Sequence, residues 1–458
     1  MMAPMKKLVV SKFGGTSMND AKTMALCAQV AHQKQSSVVV VSATSGTTNQ
    51  LLELGLACVQ GDNEKIKSLI STIESRHKKI ASDLGLSSSR LAILDQLLQE
   101  LQSLAQGIQL LKDNSARNSD ALVSLGERLS SVLFTEALTQ KYLNEKSPLI
   151  VELLDARKLI KTDHHFGRAR PKLSEIEKLC EANLKPRLGS TVFVTQGFIG
   201  STIENQTTTL GRGGSDFSAA LFAEGLGADT LEIWTDVAGI ATTDPRICKT
   251  ARMLSEISFT EASELATFGA KVLHPATLMP AQRKNIPVFV GSSFNPEQAG
   301  TWVKKSVDSS PLVRALALRK NQSLVTLTTP QMWQSSGFLF QIFQVFHDHK
   351  ISVDAVTTSE ISVAMTLDST ETLSTEVIQK LSEFAEVQVE KNLSLISLIG
   401  NNINHTAGLA EKAFSSLPGV NIRMICQGAS RHNFCFLVSD SVSQEVIQNL
   451  HHQFIDSQ

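Results

Sequence analysis

The run "SVVVVSATSG", with valine at every position from 38 to 41, is the feature that most restricts how this chain can fold. Alternating strands have one wet face. An unbroken β-branched run has none, so both of its faces must be covered, as in a parallel sheet clothed by helices. Upstream lies "LVVSKFGGTS", a second apolar run, followed by an amphipathic stretch in which Met18, Met24, Ala28 and Ala31 supply the smaller apolar positions. Strand, helix and strand within about 35 residues make a βαβ unit. Residues 50–145 carry Leu, Gln, Ser and Lys at helical spacing, broken by "GLSSSR" and "KDNSARNSD", and predict three or four helices. Strand-like runs return at "SPLIVELLD", "STVFVTQGFIG", "TLEIWTDVAGI" and "NIPVFVGSS", separated by helical "DFSAALFAEGLG" and "FTEASELATFGA". The expected fold class is therefore α/β, with a mostly parallel sheet, over residues 1–293.

The polar stretch around "FNPEQAGTWVKKSVDSSP" reads as a linker over 294–312. Beyond it the units are smaller. "SLVTLTTPQMWQSSGFLFQIFQVFHDHKISVDAVTTSEISVAMTLD" reads strand, loop, helix, strand, turn, strand, and "LSLISLIGNNINHTAGLAEKAFSSLPGVNIRMICQGASRHNFCFLVS" repeats that order. Two α+β units are expected, over 313–390 and 391–458, too few for a solenoid.

At 458 residues the chain exceeds one core, in keeping with several domains. A net charge of −1 gives no basic excess for nucleic acid, and no apolar run approaches a membrane span. The start, "MMAPMKKLVV", lacks the apolar segment of a signal peptide. The six cysteines are scattered without metal-ligand spacing, as in a reducing, cytoplasmic setting. No metal site of the protein's own is expected.

Chemistry concentrates in a few short stretches. In "SKFGGTS", a strand breaks at Gly14-Gly15 beside Lys12, presenting bare amides and a cation to an anion. A plain strand–helix connection has the same look, and the Walker A pattern is absent. In "TTTLGRGGSDFSAALFA", Arg212 sits among glycines while Ser215 and Asp216 open a helix, as cap and first-turn acid or as site residues. "IWTDVAGIATTDPRI" places Thr235, Asp236, Asp244 and Arg246 after a strand, where open α/β sheets bind ligands, although Asp, Gly and Pro also build ordinary turns. Lys271 in "ATFGAKVLHPATL" and Glu127 in "LVSLGERLS" are ambiguous alone.

Together, K-F-G-G-T-S, G-R-G-G-S-D, W-T-D-V-x-G-I and T-F-G-A-K-V-L-H-P-A-T resemble the signatures of the aspartate kinases, in that family's order, and the tandem repeat resembles ACT domains. The resemblance covers essentially the whole chain and is closest to the monofunctional, lysine-sensitive type. It implies an amino-acid kinase fold with two regulatory ACT domains. The implied reaction is phosphorylation of L-aspartate by ATP, with Mg²⁺, to 4-phospho-L-aspartate, the first step toward lysine, threonine and methionine. By the resemblance, Lys12, Asp216 and Lys271 are catalytic. Thr48, Glu127, Phe198, Arg212, Gly213, Gly214 and Ser215 would bind aspartate. Gly14, Gly15, Thr235, Asp236, Ala241, Arg246 and Val272, with the two lysines, would meet ATP. Ala241 departs from the family's aromatic residue in G-I-[YF]-T-x-D-P-R, which implies less area against the nucleotide. Met332, Ser352, Asp354, Thr358, Ser359 and Glu360 match an allosteric lysine site, which in this family forms between subunits. A homodimer through the ACT domains is implied, and a tetramer is left open. Kinases of the same fold acting on other acceptors, and an amino-acid sensor without kinase activity, remain alternatives at this point.

Overall fold

Val9–Phe13 (β1) and Val38–Val41 (β2) pair in parallel, register Val10 to Val38, with every residue of both strands buried. The structure, a computed structural model, describes residues 7–269, 273, 275–309, 311–334, 336–368 and 373–457. Two units divide the chain: Met1–Ile240 with Met253–Phe259 and Val272–Ser306, and Ala241–Arg252 with Thr260–Lys271 and Val307–Gln458.

In the first unit, β1 and β2 flank α1 (Ala21–Gln33), whose Asp20 cap accepts from the Thr23 amide (2.9 Å) while Thr23 answers the Asp20 amide (3.1 Å). Four helices follow: α2 (Thr47–Gln60), α3 (Asn63–Leu84), α4 (Ser88–Leu111) and α5 (Ala116–Asn144). Strands β3 (Ile150–Leu154) and β4 (Thr191–Gln196) enclose α6 (Leu173–Asn183). A small hairpin of β5 (Ile199–Ser201) and β6 (Thr207–Thr209) leads into α7 (Gly214–Leu226) and β7 (Thr230–Thr235). After β8 (Glu256–Ser258) come α8 (Phe259–Thr267), nearly all of it in the second unit, then α9 (Pro275–Lys284), β9 (Val288–Ser292) and β10 (Thr301–Lys304). The sheet runs β3-β4-β2-β1-β7-β9-β10-β8, parallel except where β10 meets β9. Strand β10 forms inside the stretch read as linker: its Thr301 and Val303 are buried, so two apolar or capped inward positions sufficed to extend the sheet. Helix α5 is buried around nearly its whole circumference, polar residues included, and packs with α1 to α4 over the sheet through Phe134, Leu129, Leu133 and Trp234.

The second unit holds one antiparallel sheet, β12-β13-β11-β14-β16-β15, from β11 (Ala315–Thr328), β12 (Val356–Thr358), β13 (Ser362–Leu367), β14 (Glu386–Ile399), β15 (Met424–Cys426) and β16 (Asn433–Ser439). Helices α10 (Phe338–Asp348), α11 (Thr375–Ser382), α12 (Leu409–Ser415) and α13 (Ser443–His451) complete it. The two repeats interleave. Residues 324–328 of β11 pair with 386–390 of β14, whereas 315–319 pair with 395–399, across a register shift at Arg319–Gln322. The first five residues of β11 thus close the second repeat as its outer strand, beside the half of β14 that pairs with β16. The expected division at residue 390 falls inside β14, whose two halves serve the two repeats. Each repeat keeps its own core, one around Ile342, Phe346 and Met365, the other around Phe434, Phe436 and Phe454. Among the described residues no helix is long and apolar enough to cross a membrane.

Candidate active site

A cleft of about 730 Å³ opens at the carboxyl ends of β4, β2, β1 and β7. In a parallel sheet the loops leaving these ends face the same way, which makes this edge the ligand edge. Most of its walls trace to stretches singled out in the sequence.

Lys12 is the next-to-last residue of β1 and only 7% exposed. Its Nζ meets Asp216 Oδ1 at 2.5 Å, and Asp216 stands in the first turn of α7. The pair fixes the lysine side chain between β1 and α7. Gly14 donates its amide to the Trp234 carbonyl (3.1 Å), and a Cβ on Gly15 would come within 3.2 Å of the Ala43 carbonyl. The double glycine therefore lets the β1 loop lie flat against the β2 loop, leaving backbone on the cleft wall.

The turn after β4 interlocks with the start of α7. A Cβ on Gly197 would sit 2.6 Å from Ser215 Cβ, and one on Gly214 would sit 2.6 Å from the Phe198 ring. Phe198 itself has φ 67°, a strained value for a bulky residue, and Gly211 and Gly213 also take positive φ. Arg212, between those two glycines, is exposed at the cleft's lip.

Glu127 lies across the cleft on α5, 3% exposed. Its Oε1 accepts from the Ala43 amide (3.2 Å), while Oε2 is buried with no hydrogen-bond partner. Burial pushes its carboxyl up to about 8, against an ordinary value of 4.5. The glycine before it is required, since a Cβ on Gly126 would meet Ala43 Cβ at 2.9 Å. An unpaired buried carboxylate oxygen of this kind invites a cationic ligand.

Of the residues expected from the sequence, Lys12, Gly14, Gly15, Thr48, Glu127, Phe198, Arg212, Gly213, Gly214, Ser215, Thr235, Asp236 and Asp216 share this one cleft. Ala241 and Arg246 fall in the segment that clusters with the second unit and do not line it; Arg246 is exposed and pairs with Asp244 at 2.7 Å. Lys271 and Val272 lie outside the described residues. In the second unit, Thr358, Ser359 and Glu360 occupy the exposed β12–β13 hairpin, closed by the Ser359 amide on the Ser362 carbonyl (2.8 Å). Met332 packs against the first repeat's core, Ser352 is exposed, and Asp354, its carboxyl raised mainly by burial, lies 3.4 Å from Arg319.

Two groups escaped the sequence reading. Asp120, one of the cleft residues, accepts from the Gly167 amide (2.8 Å), the Thr209 amide (2.9 Å) and the Thr209 hydroxyl (2.7 Å). Its spacing to Val123 and Glu127 (i, i+3, i+7) puts all three on one helix face, a signal that was available. The loop after β2 is pinned from α3: His77 Nε2 meets Thr44 Oγ1 at 3.2 Å, its Nδ1 meets the Ile73 carbonyl at 2.7 Å, and Arg76 donates to the Ser45 carbonyl. Burial holds His77 down at about 4, so the imidazole is neutral near pH 7.

The amino acid kinase family profile matches residues 7–292, and an ACT domain profile matches residues 396–454. Lysine-sensitive aspartokinase 3 of Escherichia coli is 44% identical over 455 residues, spanning 98% of this chain and 99% of that protein. The chain belongs to the aspartokinases of the amino acid kinase family. Chloroplastic aspartokinase 3 of Arabidopsis thaliana is 36% identical to this aspartokinase over 475 residues, 99% of the chain and 82% of the plant protein. The crystal structure of E. coli aspartokinase III in complex with aspartate and ADP (R-state) matches with a TM-score of 0.85 and 43% identity, covering 98% and 99% of the two chains. The same enzyme with lysine and aspartate (T-state) matches at 0.84, covering 98% and 100%.

Proposed function

We propose that the cleft transfers the γ-phosphoryl group of ATP to the side-chain carboxylate of L-aspartate, giving ADP and 4-phospho-L-aspartate, and that lysine restrains it through the ACT repeats. The observation that carries the reading is a pair of opposed groups in one cleft: a Lys12 ammonium fixed by Asp216, and across from it the unpartnered Glu127 carboxyl oxygen, ready to ionise against a cation. Pushing a carboxylate against a polyphosphate stacks negative charge, so catalysis is mostly positioning and neutralisation. Lys12 would sit on the transferring phosphoryl group with the Gly15 amide, while Gly14, its own amide held by the Trp234 carbonyl, keeps the wall flat beside it. Asp216 would orient that lysine rather than take a proton, because the acceptor carboxylate is already ionised at neutral pH.

Glu127 would receive the ammonium of aspartate, and Arg212 its α-carboxylate in a bidentate clamp. Thr48, Ser215 and Phe198 would fix the rest of the substrate. Thr235, Asp236 and the family's remaining positions, Ala241, Arg246, Lys271 and Val272, would serve the nucleotide. Among the described residues no three acidic, cysteine or histidine side chains converge, which suits Mg²⁺ held chiefly by the nucleotide's phosphates with one or two carboxylates at most. The sensor without kinase activity has no support among the relatives named above.

The exposed Trp333, Phe340, Val356 and Ile361, around α10 and the unpaired edge of β12, favour a second copy of the chain covering this face. Lysine would then bind at the β12–β13 hairpin with Asp354 and Glu360 facing its amino groups. The test is hydroxylamine trapping of the acyl phosphate with ATP, Mg²⁺ and L-aspartate, with and without millimolar lysine. Aspartyl hydroxamate that lysine suppresses is the expected result. Turnover of glutamate, acetylglutamate or a nucleotide in place of aspartate would overturn the substrate assignment.

A further inference from the structure

Cys426 and Cys435 are register partners on β15 and β16, the last two strands at one edge of the regulatory sheet. All six cysteines are free, but only these two face one another within the sheet. Residues opposed across an antiparallel pair have Cα atoms about 4.5–5.5 Å apart, inside the range a disulfide spans. Cys435 is 2% exposed and its Sγ lies 3.7 Å from the Cys426 carbonyl oxygen, whereas Cys426 is partly exposed. The Cys426 sulfur is also 3.3 Å from Thr357 Oγ1, and that hydroxyl donates to the Ile425 carbonyl at 3.3 Å. Thr357 belongs to β12, next to Thr358, Ser359 and Glu360.

We propose that Cys426 and Cys435 form a reversible redox pair, oxidised by hydroperoxides, whose state is passed through Thr357 to the effector hairpin. The neighbouring Cys435 thiol lowers the pKa of Cys426 below the ordinary thiol value and makes it the more acidic of the two, while Cys435 itself moves up. Burial drives Cys27 and Cys180 the other way, to about 12, leaving them inert. The Cys426 thiolate attacks the peroxide oxygen, the O–O bond breaks, and alcohol (or water) leaves after taking a proton, producing a sulfenic acid. Cys435 then gives up its proton and attacks the Cys426 sulfur, and the hydroxyl departs with that proton as water. Two thiols lose two electrons and one hydroperoxide is reduced to alcohol plus water.

Bridging draws the end of β15 onto β16 and removes the sulfur's charge that Thr357 contacts, which loosens β12. Weaker lysine inhibition is the expected consequence, and this coupling alone rests on the lysine reading above.

The experiment exposes the reduced full-length protein to hydrogen peroxide, alkylates remaining thiols and maps peptides by mass spectrometry. Expected is a Cys426–Cys435 linkage two hydrogens lighter, restored by dithiothreitol, with the lysine midpoint raised about fivefold or more. In Cys435→Ser, dimedone should instead trap a sulfenic acid on Cys426. Alkylation of both cysteines as thiols after peroxide, or irreversible sulfinic acid on Cys426 in the wild type, would overturn the redox pair. A linkage with an unmoved lysine midpoint would overturn the coupling. A reduced enzyme indifferent to lysine would overturn the effector assignment, leaving the mass map to decide the pair by itself.

Discussion

Replacing Glu127 by Gln removes one charge from the place where the account needs it most. In the ligand-free protein the carboxyl is pushed up to about 8 by burial, from 4.5. Between those values the folded chain holds a proton that the unfolded chain has lost, so ligand-free stability falls as pH rises and levels off above about 8. At ~1.4 kcal/mol per pH unit the whole window is worth roughly 5 kcal/mol at most. Glu127→Gln keeps the Ala43 contact and abolishes this slope, so its stability relative to wild type should climb by a few kcal/mol from pH 5 to pH 8.5.

Substrate binding should run the opposite way. An ammonium beside Oε2 requires the ionised carboxylate, so wild type releases a proton on binding aspartate, and its affinity should improve about tenfold per pH unit between 6 and 8. The Gln variant should lose about 2–5 kcal/mol of aspartate binding, some thirtyfold or more in KM, with a flat pH profile. Urea melts across pH, with aspartate titrations in buffers of different ionisation enthalpy, read both effects. A wild type that binds aspartate with no proton release and a flat profile would refute the reasoning about Glu127.

Other outcomes follow from single contacts. Burial lowers the pKa of His77 to about 4, so wild type should lose up to ~3 kcal/mol as pH falls from 6.5 to 4, and His77→Asn should flatten that limb in acid unfolding curves. Asp120→Ala strands the Gly167 and Thr209 amides beside the Arg212 loop; melting should cost about 1–3 kcal/mol and kcat/KM for aspartate should drop more than kcat/KM would for a remote core change of equal stability. Asp354→Asn should raise the lysine midpoint at least about tenfold with aspartate KM unchanged, because the effector loses a charged partner while Arg319 keeps Asp368 and the aspartate cleft is untouched. Ala241→Tyr should lower the KM for ATP by restoring aromatic area; an unchanged KM counts against a role for that position.

Much of this was legible in the chain. The four valines of β2 could only be a doubly covered strand, and Gly15, Gly126, Gly197 and Gly213-Gly214 occur where a Cβ would strike or crowd a neighbour or φ is positive. Those residues report backbone geometry locally, so motif reading reaches them. Asp120 was readable from its helical spacing to Glu127 but closes "KDNSARNSD", a stretch that reads as a break between helices. His77 and Arg76 act on a loop some thirty residues away, and nothing in their own stretch distinguishes them from a solvated helix face. The interleaving of the ACT repeats was hidden for a similar reason: strand partners 58 to 84 residues apart are chosen by packing, and the sequence of β11 reads as one strand either way.

The central claim is that one cleft grips aspartate by its ammonium and delivers its side chain to a lysine-bound phosphoryl group. A crystal structure with L-aspartate and a non-hydrolysable ATP analogue tests it most directly. The account predicts the substrate ammonium within hydrogen-bonding distance of Glu127 Oε2, its α-carboxylate on Arg212, and its side-chain carboxylate between Lys12 and the terminal phosphate. Aspartate bound with its ammonium away from Glu127, or outside this cleft altogether, would contradict it.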